Sequence, residues 1–287
     1  MKQIQLLPAL LAAWCGFALA SPCGAQDLAA KGREVFKKHQ ASVVTVQLVV
    51  KTKMGIPGLG ALGGADARES KEEVTGTVID PSGLTAVALS STDPTSIMQG
   101  MMSSLGGFGG EGEEGAKFKM ESEVTDVKLL GNDGTEVPAE IVLRDKDLDL
   151  AFIRPKSKPA TPWPALDLTN SAKVDVLDEV LAINRLGKVT GRAHGAAIGR
   201  ITAVVKKPRL FYVPGGELAM GGFGCPAFTT DGKLVGLFVM RSLKSGGGGG
   251  GMFSFNVQNL GITGIILPAE DVRKIAAQAP AAKEETK

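Results

Sequence analysis

The sequence predicts an all-β protein made of two successive series of short strands, closed by a C-terminal helix. Short runs rich in Val, Ile and Leu recur along most of the chain, and turn-forming residues separate them. A proline-rich stretch at 156–167 divides these runs into two groups of six. Strands of this length and spacing are typical of an antiparallel barrel or sandwich.

The first series follows a short helix predicted over residues 26–40, with Leu28, Val35 and Phe36 on one side. Turns rich in Asp, Asn, Pro, Ser and Gly, the residues that favour tight reversals, lie within this series. We therefore expect an N-terminal strand domain over residues 41–155. Its six strands are predicted at 42–51, 72–80, 84–90, 125–130, 138–145 and 148–155.

The second series begins after the proline-rich stretch, which cannot continue a sheet and is expected to cross between two domains. We place the second domain at 168–268 and a C-terminal helix and tail at 269–287, with Val272, Ile275 and Ala276 facing inward. The six strands of this domain are predicted at 179–186, 195–207, 209–213, 227–230, 233–241 and 262–268.

Three glycine-rich segments, at 54–64, 95–116 and 245–251, do not fit the strand pattern. Glycine buries too little apolar surface to offset its ordering entropy, so these segments are expected to be flexible loops. The second is a Gly/Met-rich insertion in the N-terminal domain. Its methionines could form an adaptable contact surface, although a disordered insertion is the favoured interpretation.

The N-terminus has the pattern of a secretory signal peptide. A lysine at position 2 precedes an apolar run over 6–20, and residues 18–20 form an Ala-x-Ala cleavage site; cleavage after residue 25 is the alternative. No later segment is expected to span a bilayer. The protein is therefore predicted to be exported and soluble, in the periplasm or outside the cell.

Composition and charge exclude several function classes. The chain of 287 residues has a formal net charge of +2, so no field of either sign favours nucleic acid or an anionic membrane. The two histidines and scattered carboxylates lack metal-ligand spacing, and the glycine tracts lack the lysine of a phosphate loop. We expect no metal and no cofactor, and the oligomeric state is left open.

Four strings occur in the order and spacing of the trypsin-like serine proteases, and the sequence resembles their bacterial HtrA/Deg branch. They are "GTVIDPSGLTAVALS" at 76–90, "LLGNDGTEVPAEIVLRDKDLDLAFIRP" at 129–155, "GGFGCPAFTTDGKLVGL" at 221–237 and "GITGIILPAEDVRKI" at 261–275. The resemblance covers roughly 42–280. It implies two six-stranded antiparallel Greek-key β-barrels. We expect no PDZ-like domain to follow them.

The same resemblance implies a degenerate catalytic triad. The aspartate position falls on Asp149, but the histidine position falls on Ser90 or its neighbour Ser91, and the serine position falls on Phe223. A serine hydroxyl is no general base at neutral pH. We expect Asp149 to have a structural role, accepting hydrogen bonds from one of these serines and from backbone N–H groups. Gly221 and Gly222 match the turn that forms the oxyanion hole in active members.

The other reactive side chains are expected not to replace the missing groups. His39 and His194 are predicted to be exposed or locally bonded. Cys225 is an alternative nucleophile, but it is two residues out of register and has no base. A disulfide with Cys23 is possible in an oxidising compartment, and a free, buried thiol is preferred.

The leading functional hypothesis is an exported pseudoprotease that binds an extended peptide or a protein partner and hydrolyses no peptide bond. An active serine or Cys225 thiol endopeptidase with a non-standard catalytic set is the alternative. A structural envelope protein that reuses the fold is a third possibility. Enzyme activity is thus left undecided, with inactivity favoured.

Overall fold

The computed structural model describes residues 23–55, 64–93, 119–219, 222–242 and 262–281. Within these ranges, twelve strands form two closed, six-stranded antiparallel barrels, with one helix before the first barrel and one after the second. The predicted fold class is therefore confirmed. The predicted signal peptide, the insertion at 95–116 and the glycine tract at 245–251 lie outside the described residues.

The first barrel closes in the order β1-β2-β3-β6-β5-β4. Its strands are β1 (Val43–Gly55), β2 (Gly64–Val78), β3 (Thr85–Ala88), β4 (Lys119–Leu130), β5 (Glu136–Asp145) and β6 (Leu150–Pro155).

Four strands of this barrel, β1, β2, β4 and β5, are longer than the sequence predicted. β1 continues to Gly55, where it pairs with Gly64 of β2 and with Lys119 of β4. The predicted loop at 54–64 was therefore too wide at both ends, and its remainder, 56–63, lies outside the described residues. Pairing on both sides of β1 satisfies the backbone N–H and C=O groups of these added segments, whose polar residues do not by themselves predict strands.

The second barrel closes in the order β10-β11-β12-β9-β8-β7. Its strands are β7 (Glu179–Arg185), β8 (His194–Val205), β9 (Phe211–Pro214), β10 (Pro226–Thr229), β11 (Leu234–Ser242) and β12 (Ile262–Pro268).

Two helices pack against this framework. Helix α1 (Cys23–His39) buries Val35, and a Cβ added at its Gly32 would lie 3.1 Å from Cδ1 of Leu181 in β7. Helix α2 (Ala269–Ala276) follows β12 directly and fully buries Val272. The amphipathic pattern predicted for both helices is thus met, and α1 begins three residues earlier than expected.

Three apolar clusters form the core, and one of them joins the two barrels. One fills the first barrel around Leu48 and Ile153, and another fills the second around Tyr212 and Phe238. The third joins residues of both barrels and both helices, with Phe228 among them. The proline-rich segment at 156–167 contains no strand and is fixed to the first barrel by Trp163 N–H to Pro81 O (3.0 Å) and Leu166 N–H to Val78 O (2.9 Å).

Candidate functional site

Asp149 lies in the turn between β5 and β6, with a left-handed backbone (φ 55°) that Asp tolerates better than most residues. Its carboxylate accepts three hydrogen bonds. Oδ1 accepts from the backbone N–H of Ser90 (2.6 Å), and Oδ2 accepts from Ser90 Oγ (2.9 Å) and from the backbone N–H of Met240 in β11 (2.7 Å). The hydrogen bond expected between Asp149 and Ser90 is therefore present.

The electrostatics of Asp149 reflect its burial between the barrels. Desolvation raises the pKa of its carboxyl group, and the hydrogen bonds from Met240 and Ser90 oppose that shift because they favour the charged form. Both carboxylate oxygens are occupied by donors from Ser90 and β11. The carboxylate therefore fastens the end of the first barrel's β3 to the second barrel.

Ser90 lies in a short 3-10 turn, Leu89–Thr92, directly after β3. The carbonyl of Asp149 accepts the backbone N–H of Leu89 (2.9 Å), so the turn is held to Asp149 by backbone as well as by side chain. Ser90 is thus the neighbour of Asp149, and it supplies a donor rather than a base.

The glycine turn at 222–225 precedes β10, with Phe223 at its centre. Gly222 and Gly224 have φ of +87° and +86°, and Cys225 N–H donates to Gly222 O (3.0 Å). The phenyl side chain of Phe223 is half-buried. Gly221, the other residue expected in this turn, lies outside the described residues.

The glycine turn contacts the first barrel directly through Gly224. Thr77 Oγ1 in β2 donates to Gly224 O (2.7 Å), and a Cβ added at Gly224 would collide with Thr75 O and lie 3.3 Å from the backbone nitrogen of Ala88. Ala88 is two residues before Ser90. Gly224 N–H also donates to Phe238 O (2.7 Å), two residues before Met240. The structure thereby brings the glycine turn, Ser90 and Asp149 to one junction between the barrels.

The two histidines lie elsewhere and are engaged locally. His39, at the end of α1, stacks on Phe228 with ring centroids 4.5 Å apart, and its buried Nε2 has no hydrogen-bond partner among the described residues. His194, at the start of β8, bonds through Nε2 to Val43 O (2.9 Å) and through Nδ1 to Arg185 Nη1 (3.1 Å). Burial lowers the pKa of both imidazoles. Among the described residues, neither histidine is hydrogen bonded to Asp149.

Cys225 is fully buried in the second barrel and free of any disulfide. Desolvation strongly raises the pKa of its thiol. A nucleophilic cysteine needs an accessible thiolate beside a positive group, which this environment does not offer.

Within the described ranges, no group of three or more His, Cys, Asp or Glu side chains could hold a metal ion. In the same ranges, no helix is long and apolar enough to cross a membrane.

The sequence predicted backbone N–H donors for the Asp149 carboxylate but did not identify Met240 as one of them, because a backbone donor has no residue type that could mark it.

Two closed six-stranded barrels that share a junction of this kind define the class of trypsin-like peptidases. The family model described as "Trypsin-like peptidase domain" matches residues 74–237, more than half of the chain, and the chain belongs to this family.

A protein of Halomonas elongata named "Probable periplasmic serine endoprotease DegP-like" is 34% identical to the chain over 121 residues. The aligned part is 40% of this chain and 24% of that relative, so the match spans about a quarter of the relative's length.

Proposed function

We propose that this chain is an exported trypsin-like pseudoprotease that binds extended polypeptide and does not hydrolyse it. The observation that carries the proposal is that both oxygens of the Asp149 carboxylate accept hydrogen bonds from Ser90 or Met240. In an active triad the aspartate orients a histidine, which takes the proton of the nucleophile. Here a hydroxyl donor binds the aspartate instead.

The proposed assignment places Ser90 in the histidine position and Phe223 in the serine position. The Ser90 hydroxyl donates a hydrogen bond to Asp149, and serine has no basic nitrogen. The phenyl ring of Phe223 has no nucleophilic atom. Loss of nucleophile and base together removes roughly a millionfold in rate, on the order of 8 kcal/mol of transition-state stabilisation. Hydrolysis by the ordinary serine route is therefore not expected.

The alternative is an endopeptidase with a non-standard catalytic set, as the name of the Halomonas relative would suggest. Cys225 is the nucleophile that this alternative requires. Its burial and the raised pKa of its thiol count against it, and among the described residues neither His39 nor His194 is hydrogen bonded to it.

Peptide binding is supported by an edge of β11 close to Asp149. On this edge the N–H and carbonyl of Phe238 are already bonded to the glycine turn and the N–H of Met240 to Asp149, so the stretch proposed for peptide addition begins at the carbonyl of Met240. In the described residues, β10 pairs with β11 only as far as Leu237, while β12 covers the opposite edge through to Ser242. An extended peptide can add to such an edge through main-chain hydrogen bonds.

Export is proposed from the signal-peptide pattern of residues 1–20 and from the periplasmic name of the relative. The proposed mature chain begins at 21 or 26. It contains the helix at 26–40, barrels at 41–155 and 168–268, and the crossing at 156–167.

The test is turnover of an unfolded protein substrate by the purified chain, with labelling by serine- and thiol-directed active-site probes. We expect no cleavage products and no covalent label, together with binding of unlabelled extended peptide. Cleavage that disappears in the Cys225→Ala variant would establish the thiol alternative. Cleavage that survives this variant would reject the assignment of Ser90 and Phe223. A gain of cleavage in a Ser90→His, Phe223→Ser variant would support that assignment.

A further inference from the structure

A polar cleft lies on the outer face of the first barrel, away from the Asp149 junction. The loop between β7 and β8 reaches over it from the second barrel, and its volume is about 520 Å³, within the size range of ligand pockets. It shares no lining residue with the Asp149, Ser90 and Phe223 group. Its charged lining consists of Lys71, Glu73, Lys128, Glu136, Lys188 and Arg192.

Both carboxylates of this cleft are held by cations. Arg192 grips Glu73 with Nε at 3.1 and 3.0 Å from the two carboxylate oxygens and Nη2 at 2.6 Å from Oε1. Lys128 Nζ lies 2.8 Å from Glu136 Oε2. These partners lower the pKa of both carboxyl groups, so both are ionised at neutral pH. Each carboxylate is thus balanced by one cation.

Two further cations, Lys71 and Lys188, act on Glu136 and Glu73 at longer range, so four cations of the lining face two carboxylates. Lys71 and Lys188 are exposed, and neither forms an ion pair within the described part of the chain. Lys71 extends from β2 and Lys188 from the β7–β8 loop, so the two ammonium groups come from different barrels. Gly187, the residue before Lys188, borders open space, because a Cβ added there would meet no atom within 4 Å. The cleft therefore presents unbalanced positive charge around free space.

The lining favours a ligand with separated negative charges. Lys71 and Glu73 lie two residues apart on one face of β2, a spacing of about 6.6 Å. A dense polyanion would bring its charges against Glu73 and Glu136 as well as against the lysines. An extended peptide carries its carboxylates singly. A peptide that ran along β2 would bring its next carboxylate, about 6.6 to 7 Å on, against Glu73, so the peptide is expected to cross from Lys71 toward Lys188.

We propose that this cleft is a second binding site, which takes an acidic peptide segment through Lys71 and Lys188. The Arg192–Glu73 pair fixes the loop that forms one wall, and the two lysines supply the attraction. The site goes beyond the proposed function, because it is independent of the Asp149 junction and of hydrolysis. Its chemistry is charge pairing between side-chain ammonium and carboxylate groups.

The test uses the full chain and a fluorescein-labelled peptide of alternating Glu and Gly, followed by fluorescence anisotropy in 50 mM salt. We expect the Lys71→Gln, Lys188→Gln variant to bind about tenfold more weakly than the unaltered chain. Binding should also weaken as salt is raised, because exposed charges are screened. The matched control is Lys156→Gln, Lys206→Gln, which removes two exposed lysines outside the cleft and should change the affinity less than twofold.

Three results would overturn the proposal. One is equal binding by the cleft variant and the control variant. Another is equal binding of a Lys–Gly peptide of the same length. The last is tighter binding of a single-stranded oligonucleotide at the same two lysines, which would assign the cleft to phosphate instead of carboxylate. Urea unfolding of each variant shows that the comparison is made between folded chains.

Discussion

Replacing Asp149 with Asn tests whether the half-buried carboxylate is a structural group. Its two oxygens accept the N–H of Ser90, the hydroxyl of Ser90 and the N–H of Met240. An asparagine offers one oxygen and one NH₂ group in the same space. Whichever way the amide is turned, its NH₂ faces a backbone N–H of Ser90 or Met240. Asn also tolerates the left-handed φ of 55° at this position, so backbone strain does not confuse the result.

The magnitude follows from the hydrogen bonds that are lost. One buried donor without a partner costs about 1 to 3 kcal/mol, and removing a desolvated charge returns part of that cost. We expect Asp149→Asn to lower the free energy of unfolding by about 2 kcal/mol, or the Tm by about 4 to 8 °C for a chain of this size. Urea and thermal unfolding measure it.

The matched control is Asp147→Asn, two residues earlier, where the side chain is exposed. A substitution there should change stability by less than about 0.5 kcal/mol. If Asp149→Asn is as stable as the unaltered chain while the control is also neutral, the carboxylate does not fasten the barrels. Its hydrogen bonds to Ser90 and Met240 would then be incidental to the fold.

Further predictions concern the same junction and the two histidines. Thr77→Val should cost about 1 to 2 kcal/mol in urea unfolding, because Gly224 O loses a buried donor, and Thr77→Ser should recover most of it. Gly224→Ala should destabilise the chain more than Thr77→Val does, because a Cβ there collides with Thr75 O at positive φ; equal stability would show that the turn can move. As the pH falls below about 6.5, the unfolded state protonates before the half-buried His39 and His194 do, so stability should fall, by at most about 1.4 kcal/mol per pH unit for each; a His194→Gln variant should flatten the profile, and an unchanged profile would contradict the desolvation argument.

The strand framework was predictable because most strands contain a short run rich in Val, Ile and Leu, and turn-forming residues separate these runs. The outer parts of β1, β2 and β4 were not, since segments such as 64–71 and 119–124 are rich in charged residues. They form strands because each supplies the backbone partners of the next. Strand formation of this kind depends on neighbours distant in sequence, which local patterns do not record.

The candidate site was predictable to the same limited extent. The family strings placed Asp149 beside Ser90, and the structure shows that contact. The strings carried no signal for the Met240 N–H, nor for the Arg192–Glu73 pair that closes the polar cleft. Such contacts are set by how the barrels dock, and they involve residue types that are common on any surface.

The glycine turn shows why the outline of a catalytic loop says little about catalysis. Gly224 is required at its position because its backbone rests on Thr75 and Ala88 and because its φ is positive. These requirements come from packing between the barrels, and they apply equally with or without a nucleophile at position 223. Phe223 is half-buried at a point where the backbone is fixed by its neighbours rather than by its own side chain. The chemical identity of that one residue can therefore change while the turn, and the strings that mark the family, stay the same.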